Sequence, residues 1–318
     1  MLGVLVWGAL VLWYHAPLSV RWLLLGGWIG SGLVALIAPA PCRRPGRFLF
    51  ALLALAVVLL WLRLTPSHHR DWADEVAQML EAELEGSQLT LHQVRNFRWR
   101  SPEDYDIRWE TRRYDLDQLV SGDLLLSYWM GPAIAHTLVS FGFADGRQLV
   151  FSLEIRKERH EAFSAVAGFF RQYEAILVAA EENDIVRVRT NARGETVRMY
   201  RLALTPEQLR TALLGYLQVA EDLRRQPRFY NTLTSNCTTM IYQVARLLDP
   251  GLPLDYRLLL SGWFDRYARD HHGLLPGHSF EELAAAADIT DQARAFDGPD
   301  RDFSTAIRRG LPGSTPSP

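Results

Sequence analysis

Cys237 stands near the end of the run Tyr230-Asn231-Thr232-Leu233-Thr234-Ser235-Asn236-Cys237-Thr238-Thr239. Ser235 and Asn236 are both good helix caps, and Met240, Ile241, Val244, Leu247 and Leu248 follow at helical spacing until Pro250-Gly251. The spacing predicts a helix that begins at the cysteine. A thiol in that position feels the positive end of the helix dipole and unpaired backbone N–H groups, and both favour the thiolate. That is the state a cysteine nucleophile needs. The competing reading is a small buried hydrophobe closing a helix end.

A nucleophile needs a base, and one pair of strands supplies a candidate. Residues 136–143 and 148–155 alternate as strands around Ala144-Asp145-Gly146, which fits a three-residue hairpin loop with glycine in the left-handed position. Phe143 then pairs with Arg147, and the register carried down the hairpin sets His136 opposite Glu154. On this register Thr137, Val139, Phe141 and Phe143 share an apolar face with Leu149, Phe151, Leu153 and Ile155, while His136, Ser140, Ser152 and Glu154 share the other. A two-residue loop would scatter polar groups over both faces. A carboxylate beside an imidazole fixes its tautomer and stabilises the imidazolium. Cys237, His136 and Glu154 are therefore the candidate nucleophile, base and orienting group. Ser152, diagonal to His136, is a weaker orienting group. Arg156 lies on the same face as Glu154 and is placed either to pair with it or to bind an anionic headgroup. The Cys237 N–H, with Asn236 or Asn231, is placed to hold an oxyanion, and Tyr230 supports the same loop. The doublets His68-His69 and His271-His272 lack metal-site spacing, and no metal or cofactor is expected.

The elements that must carry these residues divide the chain into a membrane part and one soluble domain. Hydrophobic residues make up 48% of the 318-residue chain, and the first 64 residues hold the excess. Residues 22–40 form an uncharged apolar run long enough to cross a hydrocarbon core of about 30 Å and give the surest span. Residues 2–16 and 48–62 are shorter runs flanked by Trp13, Tyr14, Trp61 and Arg63. Arg43, Arg44 and Arg47 cluster between the second and third spans, which keeps that side cytoplasmic and the rest of the chain outside it. The expected organisation is a membrane anchor over 1–64, a juxtamembrane helix over 65–90 and a catalytic domain over 91–290. A mobile tail over 291–318 completes it. Strands are predicted at 124–129, 136–143, 148–155, 175–180, 185–190 and 196–204, giving an α+β domain with a mostly antiparallel sheet. Thr205-Pro206-Glu207-Gln208 opens a helix before the cysteine loop. A net charge of −2 with no basic tail or zinc-finger spacing argues against nucleic acid as a partner. Cys42 and Cys237 fall on opposite sides of the membrane and cannot pair.

From about Val94 to Leu248 the chain resembles the Lnb N-terminal periplasmic domain family. The matching residues are Ala135-His136-Thr137, Ser152-Leu153-Glu154-Ile155-Arg156, Glu182-Asn183-Asp184 and, most specific of all, the run Tyr230 to Thr239. The resemblance implies a papain-like thiol fold in permuted order, histidine before cysteine, similar to lecithin:retinol acyltransferase. The family's named member is a bacterial lipoprotein N-acyltransferase, which implies acyl transfer from phospholipid to an amine such as a lipoprotein N-terminus. It also implies a periplasmic domain held at a bacterial inner membrane. In that member the periplasmic domain precedes the membrane part, whereas here the apolar runs come first. The expected activity is a cysteine acyltransferase working through a thioester. A cysteine peptidase or amidase acting on envelope peptides is the enzyme alternative, and a non-catalytic envelope assembly module is the other.

Overall fold

The structure, a computed structural model, describes residues 1–314. Three apolar helices come first: α1 (Leu2–His15), α2 (Arg21–Ile37) and α3 (Ala40–Arg63). Their mutual core is built from Val11, Leu25, Trp28, Ala35, Phe50 and Val57. Among the described residues α3 alone is long and apolar enough by itself to cross a membrane, and α1 and α2 are shorter apolar helices. This reverses the expected ranking of the spans. The arginine cluster also lies on the first two turns of α3 rather than in a connecting loop, because the helix runs on through Pro45.

No helix forms over 65–90. Trp72, Ala73, Val76 and Leu80 are buried, but from an extended segment with one 3-10 turn at Asp74–Val76. The backbone there is satisfied from outside: Arg156 donates to the carbonyls of Val76 (3.0 Å) and Ala77 (2.8 Å). The chain then makes a hairpin of β1 (Glu81–Glu85) and β2 (Gln88–Arg95), turning at Gly86 with φ of 65°. The short strands β3 (Arg98–Trp99) and β4 (Tyr105–Asp106) pair with each other, and β5 (Trp109–Asp115) pairs with β2. The interleaved arginines and aromatics of this stretch thus fold into strands whose rings stack together, Phe97 on Tyr105 at 5.7 Å.

The main sheet continues with β6 (Leu119–Tyr128), β7 (Ala135–Phe143), β8 (Gln148–Arg156), β9 (Glu174–Ala180) and β10 (Thr196–Arg201), in the order β1-β2-β9-β8-β7-β6-β10. All pairings are antiparallel except the single β2–β9 contact. Residues 185–190 are not a strand. Glu182–Arg187 is helix α4 and runs into a π-helical turn at Val188–Ala192, because its buried acids and Arg189 find partners on neighbouring elements. Helix α5 (Pro206–Arg225) starts at the Thr205–Gln208 capping box, and α6 (Cys237–Leu248) follows the cysteine loop. Both pack on one face of the sheet, where Val139, Phe141, Phe151 and Leu153 meet Leu213, Tyr216, Met240 and Val244.

The opposite face is buried as well. Short helices α7 (Phe264–Asp270), α8 (Phe280–Ala286), α9 (Thr290–Ala295) and α10 (Phe303–Ile307) complete the chain. Phe303 and Ile307 join Leu138, Val150, Ile176 and Val186 in a second core. The expected mobile tail is therefore docked through residue 314, and residues 315–318 lie outside the described residues. Arg308 anchors it, with Asp123 at 2.8 Å and Glu182 at 2.6 Å, all three buried.

Candidate active site

Cys237 is the first residue of α6, and the helix start is built by local hydrogen bonds. The Asn236 side chain accepts from the Thr239 N–H at 2.8 Å, while the Thr239 hydroxyl accepts from the Asn236 N–H at 2.8 Å. Nδ2 of Asn236 donates to the Thr232 carbonyl at 2.8 Å. Asn231 accepts from the N–H groups of Leu233 and Thr234, each at 3.0 Å. The sequence suggested either amide as an oxyanion donor; Asn236 spends both its oxygen and its Nδ2 on shaping the loop, and Asn231, engaged there through its oxygen, does not line the cleft that holds Cys237. The group that approaches the Cys237 N–H is the Tyr230 hydroxyl. Burial, followed by the charges of Cys237 and Glu154, holds that phenol well above its ordinary range, so it stays a donor.

The hairpin has the expected register. Phe143 donates to the Arg147 carbonyl at 3.0 Å around Gly146, whose φ is 86°. The ladder runs from Gly142–Gln148 to Val139–Phe151. Below that rung β7 stays with β6 as far as Ala135–Tyr128, and β8 stays with β9 as far as Arg156–Glu174. The two strands separate, and His136, Ser152 and Glu154 face one another across the opening. His136 Nε2 lies 2.6 Å from the Ser152 hydroxyl and 3.3 Å from Glu154 Oε1. Ser152 donates to Glu154 Oε1 at 2.7 Å, so its oxygen accepts from His136 Nε2–H. This leaves Nδ1 to face the thiol. Ser152 is thus an inserted link between imidazole and carboxylate, a closer role than its diagonal position suggested.

Glu154 has a second cationic neighbour, one the sequence reading missed. Arg189 Nη2 donates to Glu154 Oε1 at 2.8 Å from the π-helical turn. Burial alone raises the Glu154 pKa; the charges of His136 and Arg189 outweigh it and hold the carboxyl well below its usual range. The role expected of Arg156 is not fulfilled. It is buried, stacks on Trp72 at 4.4 Å and holds the carbonyls of Val76 and Ala77, facing neither Glu154 nor an open site.

Charge across the pair follows from these contacts. Burial pushes the Cys237 thiol up, but the charge of His136 and hydrogen bonds from His136 and Thr137 draw it down to about 6. Burial pushes His136 down, and Glu154 and Cys237 together carry it up to about 9. Opposite shifts of this kind describe a thiolate–imidazolium pair over a broad neutral window. Both residues line a cleft of about 570 Å³ whose walls include Trp129, Met130, Ile134, Phe163, Tyr230 and Leu259. It shares Trp129, Arg193 and Glu195 with a polar cleft of about 530 Å³ that is also lined by Arg198, Asp265 and Arg266. Among the described residues no group of three or more histidines, cysteines or carboxylates is placed to hold a metal ion.

No curated protein and no solved structure gives a significant match to the chain. The family model described as Lnb N-terminal periplasmic domain matches residues 105–262, a span that contains His136, Ser152, Glu154, Arg189 and Cys237. Over that half of its length the chain belongs to the Lnb N-terminal periplasmic domain family.

Proposed function

We propose that this protein is a membrane-anchored envelope acyltransferase that moves an acyl chain from a phospholipid to an amine through a thioester on Cys237. The observation that carries the reading is the Cys237–His136–Ser152–Glu154 arrangement at the floor of a cleft whose walls are largely apolar. In the first half-reaction the Cys237 thiolate attacks the ester carbonyl. Charge gathers on the carbonyl oxygen between the Cys237 N–H at the start of α6 and the Tyr230 hydroxyl. The C–O bond then breaks, and the departing lysophospholipid alkoxide takes the proton from the His136 imidazolium. In the second half an amine attacks the thioester, and neutral His136 takes its proton. The C–S bond breaks, an amide forms and the thiolate returns.

A phospholipid donor is favoured by the shape and charge of the site. Acyl chains suit the walls formed by Trp129, Met130, Ile134 and Phe163, and the adjoining polar cleft presents Arg193, Arg198 and Arg266. Glu195 and Asp265 line the same cleft, so its three arginines outnumber its carboxylates by one, a balance that suits a phosphodiester. The order histidine before cysteine, with the histidine on a strand and the cysteine opening a helix, accords with a permuted papain-like fold. Tethering beside a bilayer raises the effective concentration of a lipid donor. Intact-mass analysis of the purified protein incubated with phospholipid tests the reading: an acyl adduct on Cys237, discharged by an amine, is the expected result. Hydrolysis of envelope peptides with no adduct from lipid would move the assignment to a peptidase or amidase.

A further inference from the structure

The segment from Phe163 to Arg171 makes three kinds of contact at once. It lines the cleft through Phe163, Ser164, Ala165 and Gly168. It also holds the ends of two apolar helices: His15 Nε2 lies 2.6 Å from the Phe170 carbonyl, Arg171 donates to the Trp61 carbonyl at 3.1 Å, and the Tyr14 ring stacks on Phe170 at 5.7 Å. Those helix ends are where the chain leaves the hydrocarbon, so the segment sits at the level of the lipid headgroups. Third, it exposes large apolar side chains beside the cleft. Trp129, Met130 and Phe163 line the cleft, and Val166, Phe169 and Leu233 each directly follow a lining residue, Ala165, Gly168 or Thr232; all six are between 39% and 54% exposed. A soluble face would not concentrate such residues at one mouth. Trp129 and Phe163 touch edge to face at 5.0 Å across it, and so join the β6–β7 loop to this segment.

We infer that this rim is a lipid-facing portal, inserted in the outer part of the leaflet from which α1 and α3 emerge, and that an acyl chain enters the cleft sideways through it. The occupant is the bilayer itself, because the rim is continuous with the helix ends that fix its depth. Insertion into the leaflet rests on the membrane anchor alone, and chain entry rests on the acyl-transfer reading. The two are separable by experiment.

Depth is read on the full chain reconstituted in phospholipid vesicles, in a Cys42→Ala, Cys237→Ser background. An environment-sensitive fluorophore is attached at Val166→Cys or Leu233→Cys, with Val120→Cys, exposed at the far end of β6 from the site, as reference. Nitroxide carried on the lipid chains should quench the first two several-fold more strongly than the third. Equal quenching at all three overturns the portal whether or not the protein transfers acyl groups. Chain entry is read with Val166→Asp and Phe169→Asp. Each should slow thioester formation from vesicle phospholipid about tenfold and leave acylation by a water-soluble short-chain thioester unchanged. Unchanged rates from both donors overturn entry through the rim. If wild-type Cys237 takes no acyl group from either donor, the acyl-transfer reading fails and chain entry is overturned with it, while the quenching result still decides insertion.

Discussion

Arg189 joins His136 in setting how the candidate catalytic residues share charge. Burial alone would drive the Glu154 carboxylate towards the neutral acid, and the charge of His136, followed by that of the Arg189 guanidinium 2.8 Å away, prevents that. Glu154 then stays an anion and His136 is held as the proton-bearing partner of the Cys237 thiolate. If His136 and Cys237 work as one unit, Cys237→Ser and His136→Ala should each lower turnover by about a thousandfold or more, and the double variant should lose little beyond either. Steady-state acyl transfer checks this. Glu154→Gln should cost less, about ten- to a hundredfold, because the amide oxygen can still accept from Ser152. The thiol gives an independent reading by pH. In a Cys42→Ala background, alkylation of folded protein should have its midpoint near 6, well below the ordinary thiol value of 9.0. In His136→Ala the main lowering influence is gone while burial, the largest influence of all, remains, so the midpoint should rise above 9.0. A midpoint that does not move would separate the two residues functionally. Of this site, the cysteine, histidine, glutamate and serine were legible because each lies on an element whose register follows from local pattern. Arg189 was hidden: its contact to Glu154 joins residues 35 apart, and the alternating stretch Ile185 to Thr190 reads as a strand until tertiary packing winds it.

Elements fixed by local rules match the sequence reading closely, and those fixed by distant partners do not. The hairpin at Gly146, the capping box of α5 and the helix opened by Cys237 each carry their own signal within a few residues. The stretch 67–86 has helical apolar spacing, yet Arg156 captures its carbonyls and a Gly86-Ser87 turn closes a hairpin instead. The C-terminal stretch is polar and rich in glycine and proline, which suggests mobility, but Phe303, Ile307 and Arg308 dock it against the sheet. That docking is testable. Arg308→Met leaves the buried Glu182 without its cation, while Asp123 keeps Arg201 at 2.7 Å, and should destabilise the domain by about 3 kcal/mol, read as a lower midpoint in thermal unfolding. The pH dependence has a definite sign. Burial raises the Glu182 pKa, and Arg308 more than offsets it, so the folded value lies below the ordinary 4.5. The stabilisation is then complete above 4.5 and is lost as pH falls through the folded value. Acid should therefore destabilise the wild type more than Arg308→Met. A variant with wild-type unfolding at neutral pH would mean that the tail is only loosely held.

Short helices join the two halves of the molecule mechanically. At a rise of about 1.5 Å per residue, the 14 residues of α1 and 17 of α2 span about 21 Å and about 26 Å, less than a typical hydrocarbon core of about 30 Å. In α3, Arg43, Arg44 and Arg47 occupy the first two turns, so its uncharged part begins only at Phe48. A bundle of such lengths can cross only by thinning the bilayer or by drawing its flanking groups inwards, which would draw the domain attached at its far end with it. Trp13, Trp22 and Trp61 lie at that end with Arg21 and Arg63, near His15 and the Phe163–Arg171 segment, while the cluster of Arg43, Arg44 and Arg47 lies at the other. The charge asymmetry predicts direction: the end with Arg43, Arg44 and Arg47 is expected to stay cytoplasmic and the domain from residue 65 onward to lie outside. Reporter fusions after Arg47 and after Arg63 test this, since only one full crossing separates the junctions. A reporter active only in the cytoplasm should work at the first junction and fail at the second, and a reporter active only outside should do the reverse. Cytoplasmic activity at the second junction would mean that α3 does not cross. The thiolate of Cys237 would then face the cytoplasm, away from any envelope amine, and the proposed acceptor would be lost with it.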